Sequence, residues 1–125
     1  MVFLDWFKGA SLPEDWTTIQ KDQQLEEIIQ NSYSNWTAIF KHSTRCGISH
    51  SVLNHLIESL AEEESPIQFY YLDLIQYRNI SNAISHRLEV AHQSPQLIVL
   101  KDGEVKYHAS HHAIQLPNVL QKINV

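Results

Sequence analysis

Strand-like and helix-like segments alternate along this chain, and that alternation restricts its fold more than any other feature. Residues 16–19 read as a short first strand. Asp22 stands where a helix N-cap would, with Leu25, Ile28 and Ile29 following at helical spacing. This helix is expected to end near residues 31–34. Residues 36–40, Trp-Thr-Ala-Ile-Phe, have the β-branched and aromatic content of a strand, and residues 41–45 read as a polar turn. After Cys46, the residues Ile48, Val52, Leu53, Leu56, Ile57 and Leu60 recur at intervals of three and four, which is an amphipathic helix. The run Glu62-Glu63-Glu64 is expected to face water at its end. Residues 67–74 read as a strand, and residues 79–92 as a helix carrying Ile80, Ile84, Leu88 and Ala91. Ser94-Pro95 breaks that helix ahead of an apolar strand over residues 96–100. Asp102-Gly103 is a hairpin signal leading into a returning strand over residues 104–108. Pro117 suits the first turn of a last helix that carries Val119, Leu120 and Ile123.

The resulting order is β-α-β-α-β-α-β-β-α. Alternating strands and helices imply parallel pairing, and the terminal hairpin adds antiparallel strands. The expected fold is therefore α/β, a central mixed β-sheet flanked by helices on both faces. At 125 residues the chain has the size of one domain. That domain is placed at residues 16–125, with residues 1–15 as an N-terminal extension that Trp6, Phe7 and Trp16 hold against the body. A net charge of −5 argues against a nucleic-acid partner. No stretch approaches the ~20 consecutive apolar residues of a membrane span. The apolar start carries Asp5 and lacks the basic opening of a signal peptide. A single cysteine, which leaves no internal disulfide, makes a reducing, cytoplasmic setting the expectation.

Cys46 is the only cysteine, so no internal disulfide and no multi-cysteine metal site can form. Its position carries the chemistry. It lies between an expected strand and an expected helix, where unpaired N–H groups and the positive end of the helix dipole stabilise a thiolate. Arg45 beside it and His42 four residues upstream offer further positive charge, so a thiol more acidic than usual is expected. A more acidic thiol gains anion faster than it loses nucleophilicity, and it also departs more readily. Both properties suit thiol–disulfide exchange. Ser49 occupies the place where a two-cysteine redox site holds its resolving thiol, and a hydroxyl cannot attack a disulfide. A one-cysteine cycle with an external thiol follows. Ser49 itself either serves beside the sulfur or is an ordinary helix residue bonded to its own backbone or facing solvent. Lys41 and His42 likewise have a plainer reading as solvated turn residues. The histidines His108, His111 and His112 cluster without any metal-ligand spacing and read as surface residues, so no metal ligands are assigned.

The segment Phe40-Lys-His-Ser-Thr-Arg-Cys-Gly-Ile-Ser49, with Ser94-Pro95 before Leu-Ile-Val-Leu-Lys-Asp-Gly-Glu-Val, resembles the thioredoxin superfamily. More narrowly it resembles the monothiol bacilliredoxins of the general-stress type, over residues 16–125. The resemblance implies that Cys46 is the nucleophile removing bacillithiol, or a similar low-molecular-weight thiol, from S-thiolated client proteins. It implies that Pro95 is a cis-proline facing Cys46, which X-Pro spacing alone does not establish, and that the Ser94 backbone pairs with an extended substrate. Lys41, His42 and Thr44 match the motif and are expected to shape the surroundings of the thiol. No tightly bound cofactor is implied; the small thiol is a co-substrate. Gly47 departs from the family pattern, which has proline there, and is expected to loosen the turn. Two other readings stay open. Cys-Gly-Ile-Ser is similar to the motif of the monothiol glutaredoxins that carry iron–sulfur clusters, although their Gly-Gly pair near the last helix is missing. A thioredoxin-like module that binds without redox chemistry is the other.

Overall fold

The computed structural model describes residues 12–123. Five strands form one sheet in the order β1-β3-β2-β4-β5, from β1 (Thr17–Thr18), β2 (Thr37–His42), β3 (Gln68–Asp73), β4 (Gln96–Lys101) and β5 (Glu104–Ser110). The helices are α1 (Gln24–Asn31), α2 (Gly47–Glu62), α3 (Arg78–Leu88) and α4 (Leu116–Ile123), with a 3-10 turn at His111–Ala113.

Strand β2 is central, and all its residues are buried. Its side chains alternate between two cores, as strand geometry requires. Ala38 and Phe40 join Val52, Leu53 and Leu56 of α2 and Val119 of α4. Ile39 joins Ile28 of α1, Ile84 of α3, and Ile98 and Leu100 of β4 on the other face. A sheet with helices on both faces results, as expected.

The pairing differs from expectation at β4. β1 and β2 run parallel to β3, but β4 runs antiparallel to β2, with Lys41 opposite Gln96 and Thr37 opposite Leu100. The reason lies in the connection. α3 carries the chain only about 16 Å, at 1.5 Å per residue. The connection over residues 89–95 then brings the chain back to the end it left, where Gln96 pairs with Lys41.

That helix is also shorter than its apolar spacing suggests. It stops at Leu88, where Glu89 turns left-handed at φ 57° and the Val90 N–H donates to the Ser85 carbonyl (3.1 Å), so Ala91 lies outside it. Asp22 is not a side-chain cap for α1. Its backbone carbonyl accepts from the Leu25 N–H, and Gln24 Oε1 instead accepts from the N–H groups of Gln20 (2.6 Å) and Lys21 (2.8 Å). The hairpin forms as read: Asp102 and Gly103 both have positive φ, which matches the twist of the flanking strands. A side chain at Gly103 would collide with Tyr33.

Trp16 is buried and stacks on Phe69 with ring centroids 4.8 Å apart, and Leu12 packs on the same core. The packing expected of the extension falls mostly on residues 1–11, including Trp6 and Phe7, which lie outside the described residues.

Candidate functional site

The site is built where β2 leaves the sheet. Residues 41 and 42 belong to β2 rather than to a turn, and both are buried. They point to opposite faces. Lys41 Nζ donates to the Ser81 carbonyl (3.0 Å) and to Ser85 Oγ (2.9 Å) on α3, away from α2. Burial lowers its pKa to about 8. Lys41 thus ties β2 to α3 instead of lining the thiol.

His42 faces α2. Its Nδ1 lies 2.7 Å from Ser49 Oγ, and Ser49 Oγ also accepts from the Ser43 N–H at 3.0 Å. Both sets of bonds are satisfied when the Ser49 hydroxyl donates to Nδ1 and the imidazole proton sits on Nε2. Burial, reinforced by the charge of His50 and opposed by Asp73, lowers the His42 pKa to about 4. His42 is therefore neutral at pH 7, and the positive charge expected from it beside Cys46 is absent. The side chain is held by polar bonds and rings: His50 stands edge-on at 4.6 Å, and Tyr71 lies at 5.8 Å between centroids. Burial, then the charge of Asp73, raises the Tyr71 pKa to about 12.

Cys46 follows directly. It is the N-cap of α2, extended at φ −117° and ψ 121°, partly exposed, and its sulfur makes no capping bond. Its N–H donates to the Ser43 carbonyl (3.2 Å), and its carbonyl accepts from the His50 N–H (3.1 Å). Thr44 and Arg45 are exposed in the turn, with the Thr44 carbonyl 3.1 Å from His50 Nε2. Gly47 begins the helix and is exposed, with open space where a side chain would start. Ile48 beside it is an exposed large apolar residue. Ser49 neither faces solvent nor bonds its own backbone carbonyl; it is fully buried and fastens the turn before Cys46.

The Ser94–Pro95 peptide bond is cis. The β2–β4 ladder ends at Lys41 and Gln96, so His42 and Pro95 are the residues at which the two strands part, on the side where the Cys46 turn departs. The Pro95 carbonyl accepts from the His111 N–H at 3.0 Å. Ser94 Oγ is buried without a partner among the described residues. His108, His111 and His112 are exposed, as read.

Sequence reasoning missed His50 and Asp73. His50 lies four residues after Cys46, one helical turn along the same face. Asp73 pairs in register with His42, a relation that needs the sheet.

The thioredoxin fold is evident from solved structures. A protein described as having a thioredoxin fold matches with a TM-score of 0.75 and 26% identity, over 86% of this chain and 93% of that one. Oxidised thioredoxin O2 from Arabidopsis thaliana matches with a TM-score of 0.70 and 16% identity, over 91% and 98%. Thioredoxin NaTrxh from Nicotiana alata gives 0.68 and 14%, over 93% and 96%. These likenesses account for the architecture. A family model described as "Monothiol bacilliredoxin BrxC" matches residues 17–119, a span that contains the Cys46 turn, the His42–Ser49 pair and the cis-proline. The chain belongs to the monothiol bacilliredoxin family.

Proposed function

We propose that this protein removes bacillithiol, or a similar low-molecular-weight thiol, from S-thiolated proteins in a reducing cytoplasm, through a mixed disulfide on Cys46. The observation that carries this reading is the contrast between two positions on one helix. Cys46 is partly exposed at the amino end of α2 with a free sulfur. Ser49, in the place of a resolving thiol, is buried and committed to His42 and Ser43.

In the reaction, the Cys46 thiolate attacks the small-thiol sulfur of the client's mixed disulfide. The original S–S bond breaks, a new one forms to Cys46, and the client leaves as a thiolate that takes its proton from solvent. No net oxidation occurs. A second external thiol then attacks the Cys46 adduct and restores the thiol, because no other cysteine exists to do so. The N–H groups of Gly47 and Ile48 have no intrahelical partner, and with the α2 dipole they favour negative charge on sulfur. The cis-proline at 95, beside the end of the β2–β4 ladder, supports a role in docking, with the Ser94 backbone pairing with an extended client.

The test is release of bacillithiol from a bacillithiolated model protein by wild type and Cys46→Ser, with the intact mass of the protein read afterwards. Wild type is expected to release the thiol and carry one adduct. Cys46→Ser is expected to lose release entirely while staying folded, since the replacement is close in size. Retained release in the variant would overturn the mechanism. Absence of both release and adduct in wild type would turn attention to cluster binding, checked by anaerobic reconstitution.

A further inference from the structure

Apart from Asp73 and Asp22, the carboxylates of the described residues lie away from Cys46. They sit before β1, on α1, on α2 from Glu58 onward, just after α3 and around the hairpin. Of the two exceptions, Asp73 keeps its negative charge, which acts on His42 and Tyr71. Asp73 Oδ1 accepts from the N–H groups of Ile75 (3.0 Å) and Gln76 (3.1 Å). Asp22 stands beyond β3 in a cleft with Gln76 and Arg78.

The turn and first helical turn around Cys46 supply Arg45 and His50 instead, and His111 and His112 follow β5. His50 contacts His42 and the Thr44 carbonyl, and the His111 N–H holds the Pro95 carbonyl. The His112 carbonyl accepts from Gln115 Nε2 at 3.1 Å, and Gln115 Oε1 lies 3.1 Å from His55 Nε2 on α2. Arg45 is exposed and makes no ion pair among the described residues. The amino end of α2 adds a partial positive charge of about one half. A chain of net charge −5 thus presents its reactive sulfur within a rim that holds an exposed arginine and a positive helix end, with Asp73 as the one carboxylate whose charge reaches His42.

We infer that this rim selects clients whose thiolated cysteine is flanked by acidic residues; the inference rests on the exchange function proposed above and names the substrates of that same site. Charges several ångströms apart at an exposed surface act through a high dielectric, so the preference should be modest and sensitive to salt.

The experiment uses three peptides that differ only in the residues flanking one cysteine (Asp, Asn or Lys), each thiolated with bacillithiol. kcat/KM is measured at low ionic strength and again in 0.5 M salt, on the order of a few ångströms of screening length. We expect the acidic peptide to react about three- to tenfold faster than the basic one at low salt, with the ratio contracting toward one in high salt. Arg45→Glu should reduce or invert the ratio, with circular dichroism confirming the fold. Repeating the series with an uncharged small thiol in the disulfide should leave the order unchanged. Equal rates across the three peptides at low salt would overturn the inference while leaving the exchange function intact. So would an order that vanishes with the uncharged thiol, since the rim would then be reading the small thiol. No exchange with any peptide would overturn the function on which the inference stands.

Discussion

His42 is a histidine kept neutral by its surroundings, and that has a measurable consequence. Its folded-state pKa of about 4 lies below the unfolded value of 6.5. Between these limits the unfolded chain takes up a proton at this position and the folded chain does not. The stability that His42 contributes is therefore fully present above about pH 6.5 and is lost as pH falls toward 4. Urea unfolding of wild type and His42→Asn, which keeps a polar atom near the Nδ1 position, should show wild type losing about 1–3 kcal/mol more over that range. Parallel pH profiles would show that His42 does not titrate in this way. Gly47 supports a prediction of the opposite sign. A proline at this first helical position would meet no atom within 4 Å of its Cβ and would displace no hydrogen bond. Cys46 before it is already extended, the conformation a following proline demands. Gly47→Pro should therefore raise stability by about 0.4–1 kcal/mol, chiefly by restricting the unfolded chain, seen as a rise in Tm of roughly 2–5 °C. A lower Tm would mean that the turn needs the freedom of glycine.

Among elements, β2 and α3 are joined by a buried amine. Lys41 makes no ion pair among the described residues, and desolvation lowers its pKa to about 8 from 10.5. Across that interval the unfolded chain holds a proton that the folded chain has released, so this residue makes stability rise with pH. Lys41→Met fills similar space without the charge. It should leave stability at pH 7 unchanged or raise it by about 1 kcal/mol, and it should abolish the rise between pH 8 and 10. A marked loss at pH 7 would show that the bonds to Ser81 and Ser85 outweigh the cost of burying the amine. The same pair of residues explains where sequence reading failed. Lys41-His42 looks like the start of a solvated turn because both side chains are polar, yet the strand alternation that sends Ile39 to one core and Phe40 to the other continues through them. Their burial depends on partners 40 residues away on α3 and seven residues away on α2. The direction of β4 was equally hidden, because the length of the return segment after Glu89 becomes decisive only once α3 is known to end early.

For the molecule as a whole, the alternation of elements, the Asp102-Gly103 hairpin and the passage from strand to Cys46 to helix were legible from local patterning alone. The cis bond at Pro95 was reached only through resemblance, since X-Pro spacing does not establish it. The neutral state of His42 and the approach of Asp73 to it were not legible, because both are properties of the assembled sheet. The burial of β2 has one further consequence. β2 is hydrogen-bonded on both sides, whereas the edge strand β1 has two residues in the ladder and both are exposed. Amide protons of β1 should exchange through small local openings, and those of β2 only through openings close to global unfolding. Cys46 hangs four residues beyond that central strand. The sulfur can therefore part from one small thiol and join another while the edge of the sheet breathes, without its own mounting coming undone.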